Sequence, residues 1–290
     1  MTHGLFLGVD GGGSGCRARL TDAAGRILGE GAGGAANLTL GVETAAASVR
    51  TAADAAFLSA GLPLSLQSDL RAGLGLAGAN VPMLAVQARR AVWPFAAVTV
   101  ASDAVAACLG AHGGGDGAIL ILGTGSQGLA LVGGREITVG GWGFHLSDGG
   151  SGAALGRAAL RAALLAFEDL APRSALTAAL MARFYDDPAA AALWAASAGP
   201  GDYAAFAPQV AAEAEARDPV ATALMQASAA EAAALLDRLV ELGAERIALM
   251  GGFAAPQRRW LPDRLGPVLV EPRGDALDGA LALARTEARP

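Results

Sequence analysis

The sequence lacks lysine, and this absence excludes one common kind of phosphate site. All 21 basic side chains among the 290 residues are arginines. A P-loop depends on a lysine that reaches the terminal phosphates of the nucleotide, so a P-loop is excluded. A formal net charge of −6, with no run of basic residues, argues against a nucleic-acid surface. Small charged metabolites remain as candidate ligands.

Cysteines and long apolar runs are also scarce. The two cysteines, Cys16 and Cys108, lie far apart and form no Cys-x-x-Cys motif, which predicts reduced core residues of a cytoplasmic protein. No basic segment followed by a long apolar stretch occurs at the start, so we expect no secretion signal. Gly, Arg or Asp interrupts the apolar runs before the roughly 18 residues that a membrane span requires. We therefore expect a soluble protein with no membrane or nucleic-acid partner.

An apolar strand followed at once by glycines stands near the start of the chain (residues 5–15, LFLGVDGGGSG). The alternating residues after it predict a second strand, so the glycines close a hairpin rather than begin a helix. Backbone N–H groups in such a turn can converge on a phosphate, and Asp10 at the strand end could hold a hydrated Mg²⁺. The alternative for an isolated Asp-Gly-Gly is a tight hairpin without a ligand.

A similar arrangement of strands and glycine turns returns at residues 118–140 (AILILGTGSQGLALVGGREITVG). Two copies of one hairpin design predict two similar lobes, each directing a glycine turn at a shared cleft. Gly123, Gly125 and Gly128 match the spacing of the dinucleotide fingerprint, but a strand follows where that fingerprint needs a helix. A third glycine turn, Gly251-Gly252-Phe253, ends a short predicted strand.

Several side chains stand where a ligand could reach them. Asp103 follows a predicted strand, at the edge where open α/β sheets bind ligands, although capping of the next helix is the commonest use of such a residue. Asn37 could bind a ligand or be a turn residue. Trp142 is flanked by glycines and could offer a face to a ligand, although core packing is the alternative. Asp148 follows in the same loop and could accept sugar hydroxyls, or could be a charge at a helix N-terminus. His145 has no acid or metal partner in the sequence and receives no role.

The remaining predicted elements complete the organisation of the chain. Residues 153–241 are predicted to be mainly helical, as an all-helical insert packed on the second lobe. The loop between the opening strands and the first long helix is predicted over residues 31–40. Other helices are predicted at 42–60, 81–91, 102–110 and 275–285, and other strands at 71–76, 97–101, 246–250 and 268–271.

Taken in order, these motifs resemble the sugar kinases of the actin-like ATPase superfamily, and most of all the bacterial glucosamine and N-acetylglucosamine kinases of the BadF/BadG-type ATPase family. The resemblance covers almost the whole chain: VDGGGSGCRARL, ANLTLGVE, SDAVAACLGAH, AILILGTGS, GGWG…SDGGSGAALG, ERIALMGG and DALDGALALA. It implies an α/β fold of two ribonuclease-H-like lobes with duplicated mixed sheets and a central cleft. The first lobe would span residues 1–116, joined by the C-terminal helix at 275–290. The second would span 117–274, with the insert at about 153–241.

The resemblance also implies ATP and Mg²⁺ in the cleft, an amino sugar as acceptor, and a homodimer. Asp10 would lie near Mg²⁺, through water, and Asp103 would orient the acceptor hydroxyl, taken as the sugar 6-OH, and accept its proton. The nucleotide would contact Gly12, Gly13, Ser14, Thr124, Gly125, Gly251, Gly252 and Phe253. The sugar would contact Asn37, Leu38, Asp103, Gly141, Trp142, Gly143 and Asp148.

Two other functions stay open at this point. An ATPase activator of the 2-hydroxyacyl-CoA dehydratase type would carry an iron–sulfur cluster on exposed cysteines, which Cys16 in a predicted core strand and Cys108 in a predicted helix do not suit. A nucleotide-dependent sugar sensor would bind without turnover, and an intact Asp103 argues against it. Among sugars, glucosamine, N-acetylglucosamine, N-acetylmuramic acid and glucose are all compatible with the sequence.

Overall fold

The computed structural model describes residues 4–286, which divide into two compact units. Unit 1 contains residues 4–117, 133–136 and 271–286, and unit 2 contains residues 118–132 and 137–270. Each unit is built on a five-stranded sheet with helices packed against it. The predicted α/β class with duplicated mixed sheets is confirmed. The lobe boundaries at residues 116 and 274 stay a prediction.

The sheet of unit 1 brings the carboxyl ends of three strands to one edge. The strands, in spatial order, are β3 (Ile27–Gly33), β2 (Cys16–Thr21), β1 (Phe6–Gly11), β4 (Arg71–Leu76) and β5 (Ala97–Ser102). Strands β2 and β3 run antiparallel within the hairpins, and β4 and β5 run parallel to β1. Gly11, Leu76 and Ser102 lie side by side in register, at the edge where parallel strands bind ligands.

Alanine-rich helices lie directly on this sheet. Helix α1 (Val42–Ser59) packs on β2 and β3, and α2 (Pro82–Arg90) contacts β5. The last helix, α11 (Ala276–Arg285), packs on β1, on β4 and beside α3 (Asp103–Ala111). Glycines on the strands allow this close approach: a Cβ on Gly73 would collide with the carbonyl oxygen of Ala280 in α11.

The loop predicted over residues 31–40 is wrong at its start, because β3 continues to Gly33. A Cβ on Gly31 would collide with the α1 backbone at Ala52, and one on Gly33 would collide with it at Ser48. These glycines therefore mark a strand on which a helix backbone rests, which is a known use of glycine in strands.

Unit 2 repeats the hairpin arrangement and adds most of the helices. The strands, in spatial order, are β10 (Leu269–Val270), β9 (Ile247–Met250), β6 (Gly117–Leu122), β7 (Ser126–Val132) and β8 (Arg135–Gly140). Consecutive hairpins join β6, β7 and β8, and β9 runs parallel to both β6 and β10. The helices are α4 (Gly152–Phe167), α5 (Ala175–Ala182), α6 (Pro188–Ser197), α7 (Pro200–Ala204), α8 (Ala207–Glu215), α9 (Pro219–Glu241) and α10 (Ala254–Arg258).

Helix α9 qualifies the expectation that no apolar run reaches membrane-spanning length. By length and composition alone it could cross a membrane, since the mean hydropathy of an 18-residue stretch of it reaches 1.2. In the structure, 39% of that stretch is buried. Core helices of soluble proteins meet the same criterion. Met225, Leu236 and Leu239 of α9 are fully buried in the core of unit 2, where α9 packs against α4, α5 and α8. The helix is therefore weak evidence for a membrane.

Candidate active site

The first glycine turn joins β1 to β2, and backbone hydrogen bonds fix its shape. Gly12 donates its N–H to the Gly15 carbonyl at 2.9 Å, and the Gly12 carbonyl accepts the Ala36 N–H at 2.9 Å. Gly13 and Ser14 are exposed at the tip. Within residues 4–286 the N–H groups of Gly13 and Ser14 make no backbone hydrogen bond, so they are available to an anion.

Asp10, just before this turn, forms an ion pair with Arg17 across the hairpin. Arg17 Nη2 donates to Asp10 Oδ2 at 2.8 Å, and this hydrogen bond raises the pKa of Arg17. The Asp10 side chain is 23% exposed, and its carboxylate is the kind of hard oxygen ligand that Mg²⁺ prefers. The described residues contain no group of three or more His, Cys, Asp or Glu that could hold a metal.

Asp103 begins α3 directly after β5, and Ser102 caps this helix. Ser102 Oγ accepts the Val105 N–H at 3.2 Å, and Asp103 Oδ1 accepts the Ala104 N–H at 2.9 Å. Burial raises the pKa of the Asp103 carboxyl; the Ala104 hydrogen bond lowers it, and the negative charge of Asp10 raises it further. A carboxylate with a raised pKa is a stronger general base near neutral pH. Ser102 does the capping, and the Asp103 carboxylate accepts hydrogen bonds from the backbone of Ala104 and of Asp103 itself.

Asn37 lies in the loop after β3, beside the first glycine turn. Its Nδ2 lies 4.0 Å from the position that a Cβ on Gly13 would take. Its Oδ1 accepts the N–H of Thr39 at 2.9 Å and the hydroxyl of Thr39 at 2.8 Å, which caps a short 3-10 turn. Asn37 is therefore a turn residue whose amide nitrogen lies on the side of the first glycine turn.

Leu38, predicted beside Asn37 at the sugar, is 1% exposed and lies in the core of unit 1. Its N–H donates to the Ala77 carbonyl at 2.9 Å, and its carbonyl accepts the Gly41 N–H at 3.1 Å. Both backbone groups are thus engaged within unit 1. Leu38 anchors the loop, and its contact with a sugar stays a prediction.

In unit 2, the second glycine turn and Asp148 form one cluster. Gly123 donates its N–H to the Gly125 carbonyl at 2.9 Å, which leaves Thr124 exposed at the tip. A Cβ on Gly125 would stand 2.8 Å from Asp148 Oδ2, so the carboxylate lies against this turn. Asp148 is 7% exposed, with a left-handed backbone (φ 63°). The carboxylate is therefore placed at the predicted phosphate turn, and its predicted contact with a sugar is untested.

The loop that carries Trp142 is held at its base and open at its tip. Gly141 and Gly143 have φ values of 77° and 91°, which glycine adopts without strain. Trp142 between them is 76% exposed. At the base, Gly150 donates its N–H to Glu231 Oε2 of α9 at 2.8 Å. The indole is thus presented to solvent rather than used as core filler.

The third glycine turn is fastened to the end of β6. Phe253 donates its N–H to the Leu122 carbonyl at 2.9 Å, and a Cβ on Gly251 would collide with that same carbonyl. Gly251 has φ 92°, whereas a Cβ on Gly252 would meet nothing within 4 Å. Gly252 is therefore the open member of the turn.

Comparison with known proteins places the chain in a family. The pattern of the BadF/BadG/BcrA/BcrD ATPase family matches residues 7–269. The chain belongs to this family. The glucosamine kinase GspK of Vibrio cholerae is 40% identical over 279 residues, which is 96% of this chain and 95% of that protein. The predicted family is confirmed.

Solved structures agree with this assignment. A Chromobacterium violaceum protein assigned as an N-acetylglucosamine kinase has 37% identity and a TM-score of 0.84, over 97% of this chain and 99% of its own. A ROK-family glucokinase from Streptomyces griseus, in complex with glucose and AMPPNP, has 21% identity and a TM-score of 0.54, over 97% and 98% of the two chains. At that identity the glucokinase supports the fold alone. The predicted actin-like ATPase fold is confirmed for this BadF/BadG-type chain.

Both cysteines of this BadF/BadG-type chain are buried. Cys16 is 3% exposed and Cys108 0%. The Cys16 thiol donates to the Ser48 carbonyl at 3.3 Å, and burial raises the pKa of the thiol to about 11. A thiol with so high a pKa is a poor nucleophile and metal ligand at neutral pH. This burial argues against an iron–sulfur cluster on these cysteines.

Sequence reasoning missed the residues that hold the candidate site residues in place. The two-residue spacing of Asn37 and Thr39 is typical of a local side-chain turn and could have been noticed. Arg17 follows from the hairpin register once the turn length is known. Glu231 lies 81 residues from its partner Gly150 and carries no signal in the sequence.

Proposed function

We propose that the chain is an ATP-dependent amino-sugar kinase that transfers the γ-phosphate of ATP to the 6-hydroxyl of glucosamine or N-acetylglucosamine. The observation that carries this proposal is Asp103, whose carboxyl has a raised pKa and lies at the carboxyl edge of the unit 1 sheet. Identity of 40% to a glucosamine kinase and 37% to a protein assigned as an N-acetylglucosamine kinase supports the acceptor class. These two identities are too similar to select one sugar.

Phosphate recognition without lysine is assigned to the first two glycine turns. In unit 1, the N–H groups of Gly13 and Ser14 would bind phosphate oxygens, with Gly12 shaping the turn. In unit 2, the Thr124 hydroxyl and the Gly125 backbone would do the same, and Gly252 would border the adenosine. Mg²⁺, held near Asp10 through water, would neutralise charge on the terminal phosphates.

Asp103 is assigned as the general base. Phosphoryl transfer passes through a loose transition state, so the protein contributes mainly alignment and charge neutralisation. Oδ2 of Asp103 would accept the hydrogen bond of the acceptor hydroxyl and then its proton, while Ala104 holds Oδ1 and fixes the carboxylate plane. A single positioned carboxylate of this kind contributes about 10²–10⁴-fold to the rate.

The sugar is assigned to polar and aromatic groups. Asn37 would bind one of its oxygens, Asp148 would bind a hydroxyl or amino substituent, and the exposed Trp142, between Gly141 and Gly143, would cover one face of the ring. A homodimer in the cytoplasm is proposed on the resemblance to related kinases. Light scattering of the purified protein tests the dimer.

The decisive experiment measures sugar-dependent release of ADP. Wild-type protein is assayed with glucosamine, N-acetylglucosamine and glucose, and we expect an amino sugar to give the highest kcat/KM. Asp103→Asn should lose at least about 100-fold in kcat while it retains sugar binding measured by calorimetry. Asp69→Asn, at an exposed acid of unit 1, is the matched control and should keep wild-type turnover.

Two outcomes would overturn the proposal. Sugar binding without any release of ADP would favour the sensor. Near-wild-type turnover of Asp103→Asn would remove Asp103 from the role of base.

A further inference from the structure

The side-chain oxygen of Asn37 is fully engaged inside its own loop. Oδ1 accepts two hydrogen bonds from Thr39, one from the backbone N–H at 2.9 Å and one from the hydroxyl at 2.8 Å. An amide oxygen has two lone pairs, so both are used. The remaining group, Nδ2, has two N–H donors and lies on the side of Gly13.

The backbone of Thr39 fixes which end of the amide faces the ligand. A backbone N–H can only donate, so the atom 2.9 Å from Thr39 N must be the oxygen, and a flipped amide would set two donors against each other. The rotamer of Thr39 is also restrained. Its Cγ2 lies 3.3 Å from the position that a Cβ on Gly78 would take, so the methyl group faces Gly78 while the hydroxyl faces Asn37.

We propose that Thr39 is a positioning residue that locks the Asn37 amide as a hydrogen-bond donor toward the acceptor sugar. This inference rests on the proposed function. The group that Asn37 recognises is then an oxygen with a free lone pair, which is a sugar hydroxyl or a carbonyl oxygen, and not an ammonium group. If the 2-amino group of glucosamine is charged, its recognition falls to another residue.

Three substitutions test this assignment by steady-state kinetics and by calorimetry with the sugar alone. Thr39→Val keeps the shape and removes the hydroxyl, so one of two restraints on the amide is lost. We expect the sugar KM and Kd to rise about 3- to 10-fold, with kcat and the ATP KM within about 2-fold of wild type. Thr39→Ser restores the hydroxyl and should restore sugar affinity to within about 2-fold. Asn37→Asp retains an oxygen that can cap the turn, but it replaces the Nδ2 donor with an acceptor oxygen. We expect this variant to bind the sugar at least about 10-fold more weakly.

A matched control separates this effect from general loss of a hydroxyl. Thr51 on α1 donates its hydroxyl to the Ala47 carbonyl at 3.1 Å on an exposed surface, and Thr51→Val should leave sugar affinity unchanged. Thermal denaturation of each variant reports on folding, and Asn37→Asp decides the assignment if Thr39→Val is unstable.

The outcomes distinguish this inference from the proposed function. Unchanged sugar affinity in Asn37→Asp, or equal loss in Thr39→Ser and Thr39→Val, overturns the positioning role while the kinase assignment stands. Wild-type protein that phosphorylates no amino sugar overturns both.

Discussion

Gly251 and Gly252 are neighbours with opposite tolerance for a side chain, which gives a sharp test of the third glycine turn. Gly251→Ala would hold a residue with a Cβ at φ 92°, and left-handed backbone costs such a residue about 1–2 kcal/mol. The new Cβ would also stand 2.8 Å from the carbonyl carbon of Leu122 and closer still to its oxygen. Backbone cannot move aside as a side chain can, and overpacking of this kind costs about 1–3 kcal/mol. We therefore expect Gly251→Ala to lower the free energy of unfolding by about 2–5 kcal/mol.

Thermal denaturation measures this difference directly. For a protein of a few hundred residues, each kcal/mol lowers Tm by about 2–4 °C, so Gly251→Ala should lower the Tm of the transition that includes unit 2 by about 4 °C or more. Gly252→Ala, whose Cβ meets nothing within 4 Å, should stay within about 1 °C of wild type. If Gly252 borders the nucleotide, Gly252→Ala should raise the ATP KM without this loss of stability. Equal Tm values for the two variants would refute the described fit of the turn against β6.

Three further predictions concern single side chains. Because burial raises the pKa of Asp103 above its unfolded value of 3.8, the stability of the fold falls as pH rises from that value through the folded pKa. Asp103→Asn cannot ionise, so differential scanning calorimetry should show a higher Tm for this variant than for wild type at pH 7. An unchanged or lower Tm would contradict the burial argument. In wild type, kcat/KM should be lost on acidification at a pH above 3.8, because the base becomes protonated. A thiol-specific reagent should label neither Cys16 nor Cys108 in the native protein and both in denaturant, since both are buried; rapid native labelling would contradict this. Trp142→Ala should leave Tm within about 1 °C, because the indole is 76% exposed, and should raise the sugar KM; an unchanged KM would remove Trp142 from the sugar site.

Local sequence signals predict most of the strands and helices of this fold. Strand β4 has its predicted bounds, Arg71–Leu76, because a buried apolar run and its flanking turns are encoded within a few residues. The end of β3 was not predictable in this way. Gly31 and Gly33 look like loop residues, and only the tertiary contact with α1 explains why they lie in a strand.

The candidate site is predictable in part for the same reason. The position of Asp103 at a strand end follows from sequence, but its raised pKa depends on burial and on Asp10, which lies two strands away in the sheet. The position of Asp148 against Gly125 depends on how the loop after β8 folds back. Such contacts join residues that are distant in the chain, and no local pattern contains them.

The position of α11 has a consequence for the order in which the nascent chain can fold. The helix follows all the strands of unit 1 in the sequence, yet it covers β1 and β4, and a Cβ on Gly8 or Gly73 would collide with its backbone. Residues 137–270 of unit 2 leave the ribosome before α11 does, whereas the opening strands of unit 1 must wait for it with an apolar sheet face uncovered. A polypeptide that terminates before residue 276 would keep that face exposed, which makes it a substrate for chaperones and proteases.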